Sequence, residues 1–141
     1  MATTTATITL SSSDITDNAL SISNTATLTT AGTDTGITET TGLARVKTSS
    51  GSNTLLLDFG LTGGVAQDVT ADKSAKVYIK NVNDRGDGTK YVDILIKTRE
   101  IGRLYGGDWM LIPYSGGTGE DIEYTASDTT ETTLEYIVFY E

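Results

Sequence analysis

The sequence has no cysteine and no histidine, a single proline and a single tryptophan. Without cysteine there is neither a disulfide framework nor a thiolate nucleophile. Without histidine as well, the commonest nucleophile–base pairs and nearly all zinc or transition-metal sites are out of reach. Basic charge is scarce: 10 Lys and Arg stand against 19 Asp and Glu, a formal charge of −9. A surface of that sign argues against nucleic acid or an anionic membrane as the main partner. No apolar run approaches the roughly 20 residues of a membrane-spanning helix. Met1-Ala2-Thr3-Thr4 shows neither a basic leader nor an apolar signal segment. The expectation is a soluble protein, made in the cytosol and stable without covalent cross-links.

Helical periodicity is missing too, since no window of more than a few residues combines a 3.6 period with good helix formers. What fills the sequence instead is Thr, Ser and Gly. Thr suits a pleated surface and Gly supplies turns. With 141 residues, 37% hydrophobic and 21% charged, the chain fits one domain with an ordinary core rather than a charge-dominated disordered segment.

Period-two alternation is the dominant pattern. Its clearest stretch runs from Lys76 to Tyr114. Val77 and Ile79 alternate with Lys76, Tyr78 and Lys80, then Val92, Ile94 and Ile96 alternate with Tyr91, Asp93 and Lys97. The polar, Gly-rich break between them, Asn83 to Thr89, reads as the loop of a β-hairpin. A third segment, Ile101 to Tyr114, continues the meander across Gly106-Gly107. Further strands are expected over Leu43–Thr48, Asn53–Phe59, Ile122–Ser127 and Thr133–Tyr140. Leu55-Leu56-Leu57 must point both ways, so that strand is expected to be covered on both faces. In the last strand Leu134, Tyr136 and Val138 share one face, Ile137 and Phe139 the other, which places it centrally in a sheet or at an interface. Roughly eight to ten short strands separated by turn clusters predict an all-β, single-domain β-sandwich, jelly-roll-like.

The first 42 residues are nearly uncharged, and Ala6, Ile8 and Leu10 alternate with Thr5, Thr7 and Thr9. Residues 1–18 read as an edge strand or as an extended N-terminal arm that adds to a neighbouring subunit's sheet, with the sandwich over 19–141. All ten basic residues lie between Arg45 and Arg103, whereas the C-terminal third is acidic. That separation of sign suits an unevenly charged solvated surface or head-to-side contact between copies.

Asn83, Asp84 and Asp87 form a weak candidate calcium site, because they offer hard oxygen ligands in a Gly-eased turn. The spaced carboxylates and terminal Glu of a calcium-binding helix–loop–helix are absent. Arg85-Gly86-Asp87 spells an integrin-type tripeptide, a match of little specificity. Tyr105, Trp109 and Tyr114 are candidates for a sugar-binding platform or for interface anchors. No carboxylate pair is singled out by an apolar setting. Gly60-Leu61-Thr62-Gly63-Gly64 lacks the Lys-Ser/Thr of a phosphate loop. No catalytic residue, cofactor or enzymatic activity is expected.

The stretches Val77-Tyr78-Ile79-Lys80-Asn81, Tyr91-Val92-Asp93-Ile94 and Ile101-Gly102-Arg103-Leu104-Tyr105-Gly106-Gly107-Asp108-Trp109, with Pro113, carry a resemblance. So does the closing Ile137-Val138-Phe139-Tyr140-Glu141. Together they resemble small virion structural proteins of tailed bacteriophages, those of marine and cyanobacterial phages in particular. The resemblance covers residues 70–141 well and the first half only in texture. It implies a structural role in the particle, above all capsid decoration or cementing, with a tail, baseplate or fibre part as the nearest variant. It also implies partners: other copies of the chain, a trimer favoured, and the major capsid protein. The location implied is the capsid surface after synthesis in the host cytoplasm. The interface candidates on this reading are Ala6, Ile8, Leu10, Tyr105, Trp109, Tyr114, Ile137 and Phe139. From another class, the rival is a carbohydrate-binding or adhesion β-sandwich module.

Overall fold

The computed structural model describes residues 4–13, 20–28, 39–49, 53–59, 67–69, 74–86, 88–114, 116–127 and 131–140. These residues hold twelve β-strands and no helix. Contacts divide the chain into two units, Met1–Thr38 and Glu39–Glu141.

The first unit is a two-stranded antiparallel ribbon of β1 (Thr4–Ser12) and β2 (Leu20–Leu28). The expected boundary after residue 18 falls inside this unit, whose strands pair along their full length. The register sets Thr7 opposite Thr25 and Leu10 opposite Ile22. Directly opposed residues share a face. One face therefore carries only hydroxyls between Thr5 and Ser11 and between Ser21 and Thr25, with Thr7 and Thr25 Oγ1 atoms 3.2 Å apart. The other face carries Ile8, Leu10, Leu20 and Ile22, all of them exposed.

The second unit is built from two sheets. The first contains β3 (Glu39–Thr40), β4 (Ala44–Ser49), β7 (Ser74–Asn81), β10 (Trp109–Pro113) and β12 (Glu131–Tyr140). Here β12 is central, with β7 and then β10 on one side and β3 and β4 on the other. The second sheet runs β6 (Gln67–Val69), β5 (Thr54–Phe59), β11 (Ile122–Ala126), β8 (Val92–Ile96), β9 (Arg99–Leu104). Pairing is antiparallel except between β5 and β6. Both sheets turn their alternate residues into one hydrophobic cluster. Val77, Ile79, Leu134 and Val138 enter it from the first sheet, and Leu57, Phe59, Ile94 and Ile122 from the second. This is a sandwich-like arrangement in which every described core residue lies after Thr38. The expected double-sided cover of β5 is present, since Leu56, Leu57, Asp58 and Phe59 are all buried.

Two expectations are overturned. The segment Ile101–Tyr114 does not continue a meander, because β9 lies in the second sheet and β10 in the first. The runs around Val77 and Val92 do not form a hairpin: β7 pairs with β10 and β12, whereas β8 pairs with β9 and β11. The Asp/Gly-rich segment between them carries the chain from one sheet to the other. The tight hairpin is β8–β9, and it turns on Lys97 and Thr98, both at positive φ (49° and 67°). Two successive positive φ values are what a two-residue turn matched to strand twist demands.

Thr132, in the central strand β12, is fully buried and its Oγ1 has no hydrogen-bond partner. A buried, unpaired hydroxyl costs free energy that an isosteric methyl does not. Thr132→Val is therefore expected to raise stability by about 1 kcal/mol, read as a higher urea midpoint at unchanged slope. A lower midpoint would show that the hydroxyl is bonded in solution.

Candidate functional site

The most tightly organised polar cluster lies where the chain changes sheets. Asn81 ends β7 with no exposed surface. Its Nδ2 donates to the carbonyls of Lys90 (3.2 Å) and Leu104 (3.0 Å), and its Oδ1 accepts from the Asn83 N–H (3.1 Å) and side-chain amide (2.6 Å). Its own N–H donates to the Asp108 carbonyl at 3.0 Å, while its carbonyl accepts from Gly107 at 2.8 Å. One residue thus fastens the ends of β7 and β9 and the approaches to β8 and β10. A fully satisfied buried amide of this kind fixes structure rather than offering a free ligand.

The calcium candidates meet this cluster. Asn83 spends its amide on Asn81, and Asp84 Oδ1 accepts from the Gly86 N–H at 2.9 Å, a local turn that Asp residues commonly make. Asp87 lies outside the described residues. Among the described residues no group of three or more acidic side chains is placed to hold a metal ion. Arg85, the first residue of the tripeptide, is ion-paired with Asp108, whose other oxygen accepts from the Tyr105 N–H at 3.1 Å. The packing is close: a Cβ added to Gly106 would sit 2.4 Å from the Asp84 carbonyl oxygen.

The three aromatic candidates rest on three different rings. Tyr105 meets Tyr91 edge-on at 5.8 Å, and Tyr91 also carries the Arg103 guanidinium 3.7 Å above its ring. Arg103 is held from the opposite strand by Asp93, through Nε at 2.7 Å and Nη2 at 3.1 Å, which stabilises its charged form. Tyr114 packs edge-on against Phe59 at 5.5 Å and donates its hydroxyl to the Glu120 carbonyl at 2.6 Å. Burial, and then Glu120 and Asp121, push its phenol pKa up. Its partly buried, bonded ring is a strut rather than a platform. Trp109 lies 6.3 Å from Tyr78 and is 48% exposed.

Trp109 belongs to a larger surface, the outer face of the sheet centred on β12. Val77, Ile79, Leu134 and Val138 are buried in the core, so the alternate residues point outward. Register arranges these in rows. Trp109, Lys80, Glu135 and Arg45 form the first, with Arg45 donating to Glu135 at 2.9 Å. Leu111, Tyr78 and Ile137 form the second, and Pro113, Lys76 and Phe139 the third. The candidates Ile137 and Phe139 thus share a face with Trp109, and in the last two rows all but Pro113 are partly buried. Tyr78 and Leu111 escaped the sequence reading because Tyr78 sits between two lysines and looked like part of a solvated face. The signal was present in the outward set itself, where Tyr, Leu, Ile and Phe fall in register. Burial, reinforced by Glu135, raises the Tyr78 pKa and keeps the phenol neutral.

Gly106→Ala should destabilise the protein by about 2 kcal/mol or more, because backbone must move to admit the methyl. Equal urea midpoints for the two proteins would contradict the close approach. Adding calcium or a chelator is expected to leave the melting temperature unchanged. A rise of several degrees with calcium would show that a site forms around Asn83 and Asp84 after all.

Compared with models of known protein families the chain matches none, and no curated protein sequence matches it.

Proposed function

We propose that the chain is a non-enzymatic structural protein of a tailed-bacteriophage particle, a capsid decoration or cement protein that binds the particle surface as a homo-oligomer. On this reading the jelly-roll-like second unit is the body, and the first 38 residues are the arm that docks on the major capsid protein. The observation that carries it is the ribbon β1–β2. A two-stranded ribbon is marginal alone in water, and this one exposes Ile8, Leu10, Leu20 and Ile22 on a face with no charged residue. Exposed apolar patches of this sort mark contact surfaces. Among the described residues, the body has its own core, assembled from residues after Thr38. A structural protein in many copies needs such a division: a self-sufficient body and an element whose burial is completed by a neighbour.

An acidic exterior also fits a protein displayed at high local density outside a DNA-filled shell, because like charge keeps copies soluble and away from the genome. Absence of cysteine suits assembly in a reducing cytosol followed by persistence outside the cell.

The test is co-sedimentation of the full-length protein with phage particles that lack it. Binding is expected for the wild type, and Leu10→Asp with Ile22→Asp is expected to abolish it while leaving the thermal transition of the body in place. Failure of the wild type to bind, together with its absence from purified virions by mass spectrometry, would refute the virion reading. Normal binding by the double variant would refute the arm.

A further inference from the structure

We infer that the outer face of the β12-centred sheet, around Trp109 and Tyr78, is the surface on which a second copy of this chain docks. The inference deepens the homo-oligomer part of the proposed function by naming the contact surface, and it rests on that reading only for its biological purpose.

Charge selects the occupant. The face and its margin hold Arg45, Lys47, Lys76 and Lys80 against Glu131 and Glu135, and both acids are already paired within it, with Lys47 and Arg45. These are four of the chain's 10 basic residues and two of its 19 acidic ones, so the rest of the chain has 6 basic against 17 acidic residues. A face with a net positive margin on a strongly acidic molecule attracts the rest of another such molecule and repels its own like. That asymmetry favours heterologous, head-to-side contact, which closes into a ring when the rotation allows.

Chemistry gives the contact its core. Trp109 is 48% exposed and leans on Tyr78, with Leu111 and Ile137 continuing the row. Tyr78 lies between Lys76 and Lys80 on β7 and Trp109 beside it on the edge strand, so the face combines the aromatic residues favoured as interface anchors with adjacent charge. The edge offers less. β10 is the outermost strand of this sheet and ends on Pro113, and proline on an edge opposes lateral strand addition. Contact therefore falls on the face.

The experiment measures the absolute mass of the full-length protein by light scattering at low and high concentration, at low and raised salt. Alongside the wild type run Trp109→Ala, Lys80→Glu and, as the competing site, Ile8→Asp. Wild type is expected to be a multimer that weakens as salt rises. Trp109→Ala and Lys80→Glu are each expected to raise the dissociation constant about tenfold or more, with circular dichroism unchanged, whereas Ile8→Asp leaves the mass as it was. A wild type that is monomeric at every concentration overturns the inference. So does a multimer that survives both face substitutions, or one lost only with Ile8→Asp. None of these outcomes touches the particle-binding result, so the inference and the virion reading fail separately.

Discussion

The second unit depends on one buried amide. The chain passes between its sheets six times, and Asn81 is hydrogen-bonded into two of those connections, β7 to β8 and β9 to β10. Backbone polar groups at such crossings leave one ladder before joining another, and each unpaired buried group costs free energy. Asn81 meets that demand from a single position, using its side-chain donors on Lys90 and Leu104 and its backbone on Gly107 and Asp108. Gly106 follows from the same constraint, because the two connections approach too closely for any side chain there.

Fixing that corner also fixes what the sheets present. With β7 anchored, its alternation sends Val77 and Ile79 inward and Tyr78 outward, and β12 continues the same rows through Ile137 and Phe139. The outer face is thus a consequence of register rather than of any local motif. The amphipathic ribbon of the first unit has a different origin, an alternation of hydroxyl and aliphatic residues in a segment almost free of charge. The second unit thus has a formed core and an outer face with apolar residues in register, and the ribbon of the first unit is uncharged.

Much of the fold was legible in the sequence. Strand identity followed from period two, and the central place of β12 is one of the two positions that apolar residues on both of its faces allowed. Pairing was less legible. Asn83 to Thr89 carries the residues of a hairpin loop but spans a sheet change, while the true two-residue turn uses Lys97 and Thr98, which have no Gly or Asn to announce positive φ. The two-residue β3 and three-residue β6 are too short to show a period. At the candidate site, Trp109, Ile137 and Phe139 were visible as unusual residues. Their sharing of one face depends on β7 lying between β10 and β12, which no local pattern encodes. Composition marks the oxygen-rich loop as a possible ion site but does not reveal that Asn83 donates to Asn81 and that Asp84 accepts from Gly86.

The most direct test of this account is equilibrium urea unfolding of Asn81→Ala beside the wild type. Losing the amide strands two carbonyls and the Asn83 side chain, so a destabilisation of about 2–4 kcal/mol is predicted. A change within about 0.5 kcal/mol, the range of an ordinary surface substitution, would contradict the claim that this residue joins the two sheets.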